Sequence, residues 1–121
     1  MGHLHQSVKL SADKTATELM LVDTGATFSM IPKALARAVG IAPLRRRVTI
    51  ELADGRRVKV EAGTALFGVA GREAPSTILI GDVVEPILGV ETLEALGLMV
   101  DPRRQKLTPS RGYAVRLGGY R

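Results

Sequence analysis

The chain has no cysteine and no tryptophan, and only two Phe and two Tyr. Without cysteine, disulfides and thiolate metal sites are excluded, while the redox compartment is left open. With so few aromatics, the core must be aliphatic, and the stacking half of a single-strand nucleic-acid surface is missing. No apolar run approaches membrane-spanning length, and no N-terminal segment joins a basic start to a long apolar stretch. The expectation is a soluble, cytoplasmic protein with no membrane partner.

What is present is compact and β-like. With 121 residues the chain forms one domain, large enough for a real core but not for two lobes. Thirteen Gly, six Pro and many short Val/Ile/Leu/Thr runs point to a mainly β fold with tight turns. Net charge is +5, from 17 Lys and Arg against 12 Asp and Glu. The basic residues fall in small scattered groups, Arg45-Arg46-Arg47, Arg56-Arg57 and Arg103-Arg104 with Lys106, without interleaved aromatics. They read as solvated turns and faces, so nucleic acid is not the expected partner.

One stretch organises the rest: Leu19-Met20-Leu21-Val22-Asp23-Thr24-Gly25-Ala26-Thr27. Its apolar run reads as a strand buried on both faces, which delivers Asp23 from the core. Ionised carboxylates are seldom placed there without a reason. Gly25 permits a sharp turn or a close approach, and the hydroxyls of Thr24 and Thr27 can hydrogen-bond across it. Asp-Thr-Gly is also ordinary turn vocabulary, so the three residues alone leave both readings open.

The remaining chain supplies the context. His3 to Leu10 alternates as a half-exposed strand, joined through Ser11-Ala12-Asp13-Lys14 to a strand over Thr15 to Val22. His3 and His5 share a side, as a metal pair would, but without a third ligand nearby a surface strand is the reading. After a short strand over Phe28 to Ile31, Pro32 opens a helix over Lys33 to Val39, which Gly40 closes. Its residues Leu35, Ala38 and Val39 are expected to pack on the sheet. Val48, Ile50 and Leu52 alternate before Ala53-Asp54-Gly55, and Val58 and Val60 after it, which marks a hairpin because Asp and Gly both tolerate positive φ. Further strands are expected over Thr64 to Val69 and Ala74 to Ile80, joined by a turn at Gly71-Arg72-Glu73. Pro86-Ile87-Leu88-Gly89 is a second apolar run ending in glycine. A helix over Glu91 to Leu96 follows, with Leu93 and Leu96 inward and Gly97 as its end. Strands over Leu98 to Val100 and Lys106 to Thr108 complete the domain at residue 108, and residues 109–121 form a tail.

In this order the features resemble the retropepsin-type aspartic proteases, most closely the single-domain, retroviral-like members of cellular organisms. The likeness covers about residues 3–108 and rests on Asp23-Thr24-Gly25-Ala26-Thr27, the Asp54-Gly55 hairpin, and Ile87-Leu88-Gly89 with its trailing helix and strand. It implies a closed, barrel-like β fold with one or two short helices. It also implies a homodimer in which each chain gives one Asp, consistent with the single motif here. By the same likeness Asp23 is the catalytic acid, Gly25 the tight turn and Thr24 the hydroxyl that reaches the partner chain. Ala26 is the small residue beside the substrate and Thr27 a neighbouring polar position. Viral members often carry a second acid where Thr27 stands, so contacts to a substrate backbone differ. Ile87-Leu88-Gly89 is the structural loop beneath the site, and the hairpin at Ala53, Asp54 and Gly55 is the flap, more polar here than in viral members.

The resemblance implies peptide hydrolysis without a metal, a cofactor or a covalent intermediate. Two adjacent carboxyls share one proton, and a water activated by one attacks the peptide bond, with activity peaking at acidic to mildly acidic pH. An extended peptide or protein substrate lies between flap and floor, with Phe28, Leu52 and Ile87 as apolar pocket candidates. Two alternatives stand beside the enzyme: an inactive dimerisation or peptide-binding module of the same fold, and a basic β-barrel that binds nucleic acid.

Overall fold

A computed structural model of the chain describes residues 3–110. Nine strands and two helices follow one another as β1 (His5–Ser11), β2 (Thr15–Val22), β3 (Ser29–Ile31), α1 (Lys33–Val39), β4 (Val48–Glu51), β5 (Arg57–Val69), β6 (Arg72–Ile80), β7 (Ile87–Leu88), α2 (Val90–Leu96), β8 (Leu98–Asp101) and β9 (Lys106–Pro109). The main sheet runs β1-β2-β7-β3-β6-β5-β4, and β5 also pairs with β1, so the strands close into a ring from which β4 projects. The mainly β, ring-closed fold expected from the sequence is present. The strands β8 and β9 form a separate two-stranded sheet.

The ring closes on an aliphatic core. Phe67, Leu10, Met20, Ile31, Ile78, Leu88 and Leu96 are its largest fully buried side chains. Alternation along β1 and β2 explains which residues reach it: Val8 and Leu10 point in, and Met20 does the same from the partner strand. The expectation that Leu19 to Val22 is buried on both faces is corrected here. Leu19 is 63% exposed while Met20 is fully buried, because successive side chains of a strand point to opposite faces and only one face of β2 meets the core.

The helix α1 occupies the expected residues and ends at Gly40, whose φ of 74° is the left-handed conformation that glycine adopts without strain. Its buried face differs: Ala36 and Val39 are buried, Leu35 is half-buried and Ala38 is exposed. The inward stripe follows the i, i+3 spacing from Ala36 to Val39, which leaves Ala38 on the outer side.

The long strand β5 also departs from expectation. The hairpin arm through Glu61 and the strand from Thr64 are one continuous 13-residue strand. It leaves β4 at Val60 and takes up β6 from Glu61 onward. Gly63 does not interrupt it. A Cβ there would lie 2.7 Å from Ile41 Cγ2, so this glycine marks close packing rather than a break.

At the far end of β5 the turn is Ala70-Gly71, and Arg72 and Glu73 already belong to β6. Both turn residues have positive φ, 52° at Ala70 and 80° at Gly71, the signature of a two-residue hairpin turn twisted to match its strands. Alanine is strained in that conformation and asparagine tolerates it. Ala70→Asn is therefore expected to stabilise the fold by about 1 kcal/mol. In a thermal melt that corresponds to a rise of roughly 3 to 6 °C, and an unchanged midpoint would refute the strain.

The helix α2 ends at Gly97, with φ 67°. Arg72 Nη1 donates to the carbonyls of Leu96 and Gly97 at 3.0 and 2.9 Å, satisfying acceptors that the helix end leaves open. The Gly97 carbonyl also accepts from the Ser110 amide at 2.7 Å, which ties the end of β9 to the same point. The tail expected beyond β9 lies, from residue 111 on, outside the described residues. No helix among the described residues is long and apolar enough to cross a membrane. At the N-terminus, His5 Nε2 lies 2.8 Å from Glu85 Oε1, an exposed side-chain pair.

Candidate active site

The strand β2 delivers Asp23 immediately beyond Val22. Two apolar segments meet there in parallel register, Leu21 against Ile87 and Val22 against Leu88. The Asp23 amide donates to the Leu88 carbonyl at 3.0 Å, extending that pairing by one residue. The chain then folds back: the Ala26 amide donates to the Asp23 carbonyl at 3.1 Å, and the Gly25 amide donates to Asp23 Oδ1 at 2.9 Å. One carboxylate oxygen is thus oriented by the backbone of its own turn. A Cβ on Gly25 would stand 3.2 Å from that same oxygen, so any larger residue presses on the carboxylate it orients.

The loop is held from below. Leu88 is fully buried, and the amides of Val90 and Glu91 donate to the carbonyls of Ala26 and Thr27 at 2.9 and 2.8 Å. Gly89 packs so closely on the other chain segment that a Cβ would fall 2.5 Å from the Phe28 carbonyl carbon. Asp23-Thr24-Gly25-Ala26-Thr27 and Ile87-Leu88-Gly89, some sixty residues apart in sequence, are therefore one hydrogen-bonded unit. Asp23 and Ala26 are half-buried, whereas Thr24, Gly25 and Thr27 are exposed. The two threonine hydroxyls do not bond across the turn as expected. Among the described residues neither has a side-chain partner, because the backbone amides and carbonyls already close the loop.

Sequence reasoning missed a buried set of hydroxyls behind this unit. Thr92 Oγ1, fully buried in α2, shares hydrogen bonds with Ser29 Oγ at 2.7 Å and Ser76 Oγ at 2.9 Å. Ser29 Oγ in turn accepts from the Gly89 amide at 3.0 Å. Helix, β3, β6 and the glycine of the lower loop are joined through a network in which every buried polar side-chain atom has a partner. The available signal was Ser29 and Thr92 on inward-facing positions of otherwise apolar segments. Thr92→Val keeps the shape but removes one buried hydrogen bond from each of Ser29 and Ser76, and is expected to cost about 2 kcal/mol, while Thr92→Ser costs less than about 1 kcal/mol. Chemical denaturation of the two variants measures the difference; equal losses would show that the methyl matters as much as the hydroxyl and refute a dominant hydrogen-bond role.

The hairpin of β4 and β5 stands apart from the Asp23 loop. Val48 faces Val60 and Ile50 faces Val58 across it, and these side chains join Ala62, Leu79, Phe28 and Met30 in a second apolar cluster. At the tip the Gly55 amide donates to the Leu52 carbonyl and the Leu52 amide to the Arg56 carbonyl, enclosing Ala53, Asp54 and Gly55 as a three-residue loop. Only Gly55 has positive φ, 88°. Asp54 contributes differently from the expectation of positive φ: its carboxylate accepts from the Arg56 amide at 3.0 Å and from Arg56 Nε at 2.7 Å. Those bonds, the backbone one foremost, hold the Asp54 carboxyl below its ordinary value.

Beneath the hairpin lies a groove of about 340 Å³ whose floor includes Met30, Ile50, Leu52, Val58 and Val60. Register connects it to the catalytic candidate: Met30 faces Ile87, and Ile87 faces Leu21, two residues before Asp23. Of the apolar pocket candidates, Leu52 lines the groove and Phe28 packs on its apolar cluster, while Ile87 lies in the neighbouring row and is not part of its lining. Among the described residues no group of three or more His, Cys, Asp or Glu is placed to hold a metal.

The sequence pattern of the gag-polyprotein aspartyl proteases matches residues 8–95, which takes in the Asp23 loop, the hairpin, Ile87-Leu88-Gly89 and most of α2. The chain belongs to this retropepsin-like aspartyl protease family. No curated protein matches the chain. The chain carries a single Asp-Thr-Gly, and it lies in the Asp23 loop.

Proposed function

We propose that this retropepsin-like protein is a homodimeric aspartic endopeptidase whose site pairs Asp23 with Asp23 of a second copy. The observation that carries this reading is the Asp23 loop itself. It is rigidly braced by Leu88, Gly89 and the start of α2, yet presents Thr24, Gly25 and Thr27 to solvent, with the Thr24 hydroxyl unengaged among the described residues. An isologous contact places such a loop against its own copy.

In the paired site one carboxyl is ionised and the other protonated. The ionised Asp23 takes a proton from water as the water oxygen bonds to the scissile carbonyl carbon. The protonated partner gives its proton to the carbonyl oxygen. As the resulting diol collapses, one of its hydroxyls returns a proton to the partner carboxylate, the C–N bond breaks, and the leaving nitrogen takes the proton that the first Asp23 had drawn from water, which restores the starting pair. The peptide lies extended beneath the β4–β5 hairpin, which gates the cleft by motion of its exposed tip.

The test is cleavage of a mixed peptide library from about pH 3 to about pH 7, comparing wild type with Asp23→Asn by mass spectrometry. Cuts made only by wild type are expected. Identical product spectra from the two proteins would exclude Asp23 as the catalytic acid.

A further inference from the structure

The groove under the hairpin does not end there. A second hollow of about 140 Å³ continues it toward α1, and Lys33, Glu61 and Ile80 line both. Ile41 and Pro43 carry the apolar floor onward. The result is a trough whose Met30 is linked to the strand before Asp23 through the Met30–Ile87 and Ile87–Leu21 pairings.

Its walls are cationic. Arg47, Arg56 and Lys59 line the first part, Arg37 the second, and Lys33 the junction. Arg56 is bonded to Asp54, whereas Lys33, Arg37, Arg47 and Lys59 have neither an ion pair nor a side-chain hydrogen bond among the described residues. Glu61 and Asp82 are the two carboxylates in the trough. Cations left without partners around one concavity concentrate positive potential there.

We propose that this trough is the specificity-determining outer part of the proposed peptide cleft, binding acidic segments of the substrate and so selecting peptides that carry Asp or Glu at alternate positions away from the bond to be cut. The proposal rests on the proteolytic reading for its purpose but not for its binding chemistry. An extended peptide alternates its side chains, so apolar groups meet the floor while carboxylates reach the wall cations, where arginine offers a paired donor fork. A nucleic acid fits less well. No aromatic ring lines the trough for bases to stack on, and Glu61 and Asp82 oppose a continuous run of phosphates.

The experiment uses full-length Asp23→Asn protein and fluorescent probes of about ten units: a peptide alternating Leu and Glu, the same peptide with Gln for Glu, and oligothymidine. Anisotropy is expected to show the Glu peptide binding at least about tenfold tighter than the Gln peptide, with the gap closing as salt is raised. Lys33→Glu with Arg47→Glu, both at exposed positions, should erase the preference. Equal binding of the two peptides, retention of the preference in the double variant, or tighter binding of oligothymidine would overturn the proposal. Cleavage by wild type separates the two claims. Cleavage without a preference for Glu peptides refutes the acidic selectivity of the trough and keeps the protease; Glu-selective binding without cleavage of any peptide keeps that selectivity and refutes the protease.

Discussion

Asp23→Asn is expected to lower peptide hydrolysis by at least about a thousandfold, near 4 kcal/mol of barrier, with the fold intact. The amide is nearly isosteric, and its oxygen still accepts the Gly25 amide, so the turn that holds the side chain has no reason to change. What is lost is the carboxylate's ability to take a proton from water. Mixing adds a sharper readout. If each site draws one acid from each chain, a tenfold excess of Asp23→Asn should sequester wild-type chains in dead heterodimers and reduce their rate to about a tenth. A rate that tracks wild-type concentration alone, unaffected by the variant, would rule out a shared site even if Asp23 proved essential.

Gly89→Ala is expected to cost about 3 kcal/mol or more, and with it most of the activity. The added methyl would stand 2.5 and 2.6 Å from the Phe28 carbonyl carbon and oxygen and 2.9 Å from the Ser29 nitrogen. These are backbone atoms, so no side-chain rotation relieves the clash. The segment that must move instead is Ala26 to Ser29, whose carbonyls and hydroxyl hold the start of α2 and the Gly89 amide. The expected drop in melting midpoint is roughly 10 °C or more. Gly55→Ala supplies the contrast. Gly55 has positive φ, but nothing lies within 4 Å of where its methyl would stand, so only backbone strain of about 1 kcal/mol applies. Equal losses at the two sites would mean that close approach is not what Gly89 provides.

The family frame narrows what these outcomes can mean. The match to the aspartyl proteases spans the Asp23 loop and the loop that braces it, so a failure of Asp23→Asn to alter cleavage would point to a family member that kept the scaffold and lost the chemistry. Intact dimers without cleavage would direct attention to peptide binding along the hairpin groove.

Local sequence by itself determined a good deal. Pro32 and Gly40 bounded α1, Gly97 ended α2, alternation marked the strands, and Asp54-Gly55 marked the hairpin, because each depends on φ preferences or side-chain period within a few residues. The order Asp-Thr-Gly, Asp-Gly, Ile-Leu-Gly also sufficed to recognise the family. Only the tertiary structure decided the rest. Leu19 looked as buried as Met20 because apolar character does not reveal which face meets the core. The strand from Thr64 was expected to be separate from the hairpin arm, and the reason for Gly63 between them lies in Ile41, more than twenty residues away. Ser29, Ser76 and Thr92 gave no local sign of one another, since a hydrogen bond between buried hydroxyls exists only once three distant segments are packed together. The same holds for the cations of the trough. Scattered along the chain they read as solvated turns, and their common wall arises because β3, β5, α1 and the β4–β5 hairpin converge on one concavity.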